Sequence, residues 1–307
     1  MNKFMTLMQR EWLQHRNGWL VLMGLPLVLM LGLSLFDGRG LQIQVGGDGQ
    51  TLPPMAQLPV LLQTLGWTAA TAAITFVLAC LSVLAQLPGL ARRDMQDRSI
   101  EFWRSLPTSD VESVGATVFT HLLVLPCLAL GVALLGAQVV ALVAIVTTHG
   151  PLAWLQQPWW LVLPVIAAMF ARLVLGFTLA VLWLSPMLLM TMAASAWLKR
   201  WAVPVVVVAS VAGVHLLDRY LPVPMVKPAL ARMGNEALDA LLSPQALQGM
   251  SFEGTAELTQ ALPGLPGWLI ADAGRVLGNA VSPAFVLALA VGALGFALLV
   301  WRRQRSD

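Results

Sequence analysis

VGATVFTHLLVLPCLALGVALLGAQVVALVAIV, residues 114–146, runs for 33 residues with no Asp, Glu, Lys or Arg. About 20 apolar residues in a helix cross the hydrocarbon core of a bilayer, so this stretch exceeds a single upright span. Further runs of the same kind occupy Trp19–Phe36, Gly66–Leu90, Trp159–Leu198, Ala202–Leu217 and Ala280–Trp301. Six runs predict an all-α polytopic membrane protein with six transmembrane helices in one domain over residues 1–307, both termini on the same side. The fourth run is also too long. Its span is expected near Phe170–Leu198, which leaves the Trp-rich stretch Pro158–Met169 as an interfacial or re-entrant helix on the outer side.

Composition agrees with this reading. Hydrophobic residues make up 58% of the chain and charged residues 11%, with a mean hydropathy of +0.77. A soluble globular domain carries roughly a quarter charged residues, enough to cover a core that this chain could cover only with lipid. Cys80 and Cys127 each sit inside an apolar run, which points to small buried hydrophobes rather than a disulfide or metal framework. No cleavage pattern follows the first apolar stretch, so the first span is expected to persist in the mature protein.

The net charge of +3 is explained by placement. Twelve basic residues fall on one side of the expected spans: Lys3, Arg10, Arg16, Arg92, Arg93, Arg98, Arg104, Lys199, Arg200, Arg302, Arg303 and Arg305. Arg39, Arg219, Lys227, Arg232 and Arg275 fall on the other side, four of them in one long loop. Basic residues accumulate on the cytoplasmic side, so both termini are expected there, and no nucleic-acid partner is called for. Arg172 lies near the outer end of the fourth span, where its stem could snorkel to the interface.

Residues 1–18 set Phe4, Leu7, Met8 and Trp12 on one helical face, with Lys3, Gln9, Arg10 and Gln14 largely elsewhere. That pattern predicts an interfacial helix contacting membrane lipids. Two loops face outward. Asp37–Leu65 is rich in Gly and Gln, and residues 218–279 form a longer, acidic loop before the last span. Within it, Lys227–Leu242 has helical periodicity, so short amphipathic helices over the outer mouth are expected. Ala284, Ala288 and Gly292 form a small-residue stripe suited to close helix packing. Pro186 and Pro204 are placed to kink or begin helices.

The chain lacks G-x-x-x-x-G-K-[ST], H-E-x-x-H and G-x-S-x-G, so no nucleotide cradle or hydrolase site is expected and the protein is not read as an enzyme. His15, His121, His149 and His215 fall on separate elements, which favours satisfied or interfacial histidines over ligands. Acidic residues inside a bilayer mark ion paths because they are costly there. None is expected inside these spans, so driving force should enter from outside the chain.

The cytoplasmic loop 91–113 carries the most information. Ile100, Trp103 and Leu106 recur at helical spacing among Arg98, Glu101 and Arg104. Pro107 then ends the helix, and Thr108 to Asp110 can cap the next. A short amphipathic helix held between two spans can dock in a partner's groove. Residues 97–110, DRSIEFWRSLPTSD, resemble the segment after the second span of ATP-binding-cassette (ABC) transporter permeases of the type-2 exporter class. The span count, the N-terminal interfacial helix and the outer loop are similar to that family as well. Glu101 stands where a hydrophobic residue is common, and Thr117 stands where a Lys often opens the third span.

The resemblance implies a permease subunit in a bacterial inner membrane, paired with a second copy of itself and with a separate cytoplasmic ATPase. That partner would bind the ATP and Mg, leaving no cofactor in this chain. Asp97, Arg98, Glu101, Phe102, Trp103, Arg104 and Leu106 would form the coupling surface. Spans two and five would line the path, through Thr68, Thr71, Thr75, Ser82 and Ser210. A lining so poor in charge suits a hydrophobic or amphipathic substrate. Competing readings are a non-transporting scaffold or sensor subunit and a membrane-bound lipid-modifying enzyme.

Overall fold

The computed structural model describes residues 3–36, 55–91, 109–220, 226–241 and 254–305, and among them every regular element is a helix. The first is α1, Lys3–Phe36, followed by α2, Val60–Leu90. The third, α3, covers Asp110–His149, and a short α4, Pro151–Gln156, follows it. Next come α5, Trp159–Trp183, α6, Ser185–Leu198, and α7, Ala202–Ala212. Helices α8, Val226–Leu241, α9, Thr255–Ala261, and α10, Leu265–Asn279, precede α11, Pro283–Gln304. Five of them (α1, α2, α3, α5 and α11) are long and apolar enough to cross a membrane, while α6 and α7 are shorter apolar helices. Exposed apolar side chains such as Leu20, Val21, Val28 and Leu29 on α1, and Val207 and Val208 on α7, form the outer surface. Lipid is the solvent that tolerates such a surface.

Contacts set the directions. Leu62 and Trp67 of α2 pack with Val140, Ala141 and Ala144 of α3, while Val83 and Leu87 pack with Leu122 and Leu125, so the pair is antiparallel. Helix α1 runs parallel to α3: Glu11 meets Thr117 and His121, and Leu27 covers Gly136 farther along. Helix α11 runs parallel to α6, with Ser185 against Gly292, Leu189 against Gly295 and Trp197 stacked on Trp301. The small-residue stripe expected in the last span therefore serves internal packing, because a Cβ at Gly295 would lie 3.1 Å from the Leu189 backbone. Phe4 and Phe296 both pack over Gly115, and Arg303 Nε donates to Asp110 at 2.9 Å. The start of α1, the ends of α2 and α11, the start of α3 and the Lys199 turn thus gather at one end of the bundle.

Three expectations need correction. Residues 1–18 do not form a separate interfacial helix, because Lys3–Phe36 is uninterrupted and its polar first third is packed against α3. Glu11 finds partners inside the protein, which removes the need for lipid headgroups. Pro158–Met169 is likewise no separate element, since Trp159–Trp183 is one helix. The break falls instead at Leu184, two residues before Pro186, which has no N–H to donate to Leu182 and whose ring crowds that carbonyl, ending the ladder there. Arg172 does not snorkel. It is 6% exposed and paired with Asp272.

Helix α3 contains a π-type turn at Thr120–Val124, where the Leu125 N–H reaches back to the Thr120 carbonyl. Pro126 follows at once. It cannot donate to Leu122, and its ring crowds that carbonyl, so the turn widens. The expected amphipathic helix at Lys227–Leu242 is present as α8, which lays Ala237 and Ala240 against α5.

Candidate functional site

Two buried polar clusters stand out, one at each end. At the end that gathers the helix termini, α1 presents Glu11, which is 0% exposed, to α3. Thr117 Oγ1 donates to Glu11 Oε1 at 3.0 Å, the Arg10 guanidinium bonds the same oxygen, and His121 Nε2 lies 3.3 Å from Oε2. His121 is also 0% exposed, and its Nδ1 has no hydrogen-bond partner among the described residues. His15 sits one turn above Glu11 and donates from Nδ1 to the Glu11 carbonyl at 3.2 Å. Its ring meets His121 edge-on at 5.2 Å and stacks on Trp19 at 5.9 Å. One ligand atom from each of Glu11, His15 and His121 falls within 4.8 Å of the others. The π turn places His121 here, and such turns recur at functional sites.

This cluster bears on two expectations. Glu11 belongs to the same helix as the first expected span, Trp19–Phe36, but precedes it, so the expectation of no Asp or Glu inside the spans is not contradicted, while a buried carboxylate adjoins the first of them. The histidines are also not all scattered, because His15 and His121 meet around Glu11. Glu11 and His15 stand four residues apart, one face of a helix. That spacing was the available signal. His121 carries none in sequence, since its approach depends on how α3 packs on α1.

Beside the cluster a groove of about 320 Å³ opens between α1 and α2, lined by His15, Gly18, Trp19, Val21, Leu22, Leu25 and Pro26 with Leu78, Ser82 and Gln86. Its wall is apolar, and its polar groups (His15, Ser82 and Gln86) lie toward the end that holds Glu11. Gln86 donates to Ser82 at 2.8 Å. Of the expected path residues, Ser82 faces this groove. Thr68, Thr71 and Thr75 are buried on α2, with Thr68 bonded to Gln138 of α3 at 3.0 Å. Ser210 lies apart on α7, donating to its own helix at Val206.

At the other end Arg172 of α5 is held by Asp272 of α10, with Nε and Nη2 at 2.8 and 2.7 Å from Oδ2, and its Nη1 donates to the Ala240 carbonyl of α8 at 2.7 Å. Arg275 bridges Asp272 at 2.9 Å and Asp239 at 2.8 Å. Burial pushes the Asp272 carboxyl up, but hydrogen bonds and charge from Arg172 and Arg275 outweigh it and hold the group below the usual carboxylate range. Gly176 permits this approach, because a Cβ there would strike the Ala240 carbonyl and the Arg172 guanidinium. Arg172, Asp272, Arg275 and Asp239 tie α5, α8 and α10 together.

The coupling surface expected at Asp97, Arg98, Glu101, Phe102, Trp103, Arg104 and Leu106 lies outside the described residues. Its two flanks are described. Helix α2 ends at Leu90, and α3 opens on a capping box in which Ser109 and Glu112 bond each other's backbone N–H groups. No known protein family, no curated protein and no solved structure matches the chain.

Proposed function

We propose that the chain is the membrane-spanning permease subunit of an ABC exporter in a bacterial inner membrane. Six crossings, with both termini cytoplasmic, complete the topology when α5–α6 serves as one crossing and the helix from Ala202 onward as another. ATP and Mg belong to a separate ATPase subunit, and two permease copies pair around the substrate path.

One observation carries the reading. The basic helix ends gather at a single end of the bundle, and the charged segment between Ala91 and the Ser109 cap leaves and re-enters there. A segment anchored at both flanks can pass a partner's movement directly into α2 and α3. The groove between α1 and α2, apolar with a polar foot, suits an amphipathic substrate taken from the membrane. A second reading, ion-linked membrane function without an ATPase, is favoured by the buried Glu11.

Co-purification of tagged protein with its neighbours separates the two. The permease reading expects an ATPase to come down with the chain, and expects Trp103→Ala with Arg104→Ala to stop ATP-dependent transport at unchanged expression. Transport that persists without any ATPase and collapses with an ionophore selects the second reading.

A further inference from the structure

We infer that Glu11, His15 and His121 form a binding site for a zinc-like divalent metal ion bridging α1 and α3. The inference rests on these two helices alone and stands apart from the permease reading. Two imidazoles and one carboxylate are a common donor set for Zn²⁺ with a further position open. Bonds of about 2.0–2.1 Å at tetrahedral angles hold neighbouring ligand atoms about 3.4 Å apart, and Glu11 Oε2 and His121 Nε2 are already 3.3 Å apart. One ligand atom from each of the three residues lies within 4.8 Å of the other two, close enough for a single ion to draw them together.

The surroundings prepare each ligand. The bond from His15 Nδ1 to the Glu11 carbonyl fixes the ring and leaves Nε2 as the basic nitrogen, the usual arrangement behind a metal-bound histidine. Glu11 Oε1 is engaged by Thr117 and Arg10, which orients the carboxylate toward His121. His121 is wholly buried, and its Nδ1 has no partner among the described residues. Its Nε2 faces Glu11 Oε2 at 3.3 Å, the gap in which either a shared proton or a bound cation sits. Arg10 adds positive charge nearby and lowers affinity, so the site is exchangeable rather than a permanent staple. When filled, it clamps the first third of α1 to α3, next to the point where the charged segment re-enters.

The test uses the full-length protein in detergent, with Co²⁺ as a spectroscopic probe and Zn²⁺ as competitor. The expected result is the intense visible d–d absorption of four-coordinate Co²⁺, discharged by Zn²⁺. His15→Asn should weaken binding by at least about tenfold, whereas His149→Asn leaves it unchanged. His15 is only half buried, so this variant keeps the test valid even where Glu11→Gln or His121→Asn fails to fold. Absence of the four-coordinate bands in the wild type, or equal affinity in the wild type and His15→Asn, overturns the site. A pair that only exchanges a proton would give the first of those results.

Discussion

The two buried polar clusters have similar members and opposite states of completion. Around Asp272 the groups are paired: both carboxylate oxygens are bonded to arginines, and Arg172 also reaches a backbone carbonyl. Around Glu11 the carboxylate is bonded, yet a wholly buried imidazole keeps a ring nitrogen without a partner among the described residues. A closed network costs little to keep and fixes three helices in place. An open one costs stability, because a buried polar atom left unsatisfied is penalised by about 1–3 kcal/mol. The contrast separates a closed network that ties three helices together from an open one at the junction of α1 and α3.

Asp272→Ala should give the largest effect. It leaves Arg172 charged and buried, a loss of about 3–5 kcal/mol that thermal unfolding in detergent would read; an unchanged melting temperature would break the comparison. Acid should act on the same cluster. A carboxyl held below its ordinary value of about 3.9 contributes stability that is present above that value and lost as pH falls through the folded one. The melting temperature should therefore stay level from neutral pH to about pH 5 and drop below about pH 4, with a shallower drop in Asp272→Asn.

Glu11→Gln should cost less, about 1–3 kcal/mol, since the amide oxygen can still accept from Thr117. Unlike the far-end change, it should alter function more than folding, which transport assays set beside unfolding curves would show. Ser109→Ala removes the cap at the start of α3, for about 1 kcal/mol. Smallest of all, the paired replacement of Arg172 by Met and Asp272 by Leu should be near neutral, because apolar residues often replace a buried ion pair without loss. A large loss there would mean the far-end cluster also has work beyond packing.

The helical, lipid-facing character of the chain was legible because it depends on composition and run length alone. The capped start of α3, the helix at Lys227–Leu242 and the break beside Pro186 were legible because each has a local cause. What the sequence concealed depends on packing. Nothing between Lys3 and Arg16 tells whether the amphipathic face meets headgroups or a neighbouring helix; that is decided by Thr117 and His121 on α3, more than a hundred residues away. Arg172 looked solitary for the same reason, its partner being 100 positions later. The Thr120–Val124 turn had a signal in Pro126, hidden by an otherwise uniform apolar run.

That turn sets the phase of α3. A widened turn holds one residue more than its neighbours, so the stretch below it is rotated by roughly one helical step, about 100°, relative to a regular helix. Should the surplus residue slide along the rod, the Asp110–Phe119 stretch would rotate as a unit while the Leu125–His149 stretch stayed engaged with α2. His121 sits at this joint, so such a slip would turn its ring toward or away from Glu11. The angle at which His121 meets Glu11 is therefore set by where along α3 the widened turn sits.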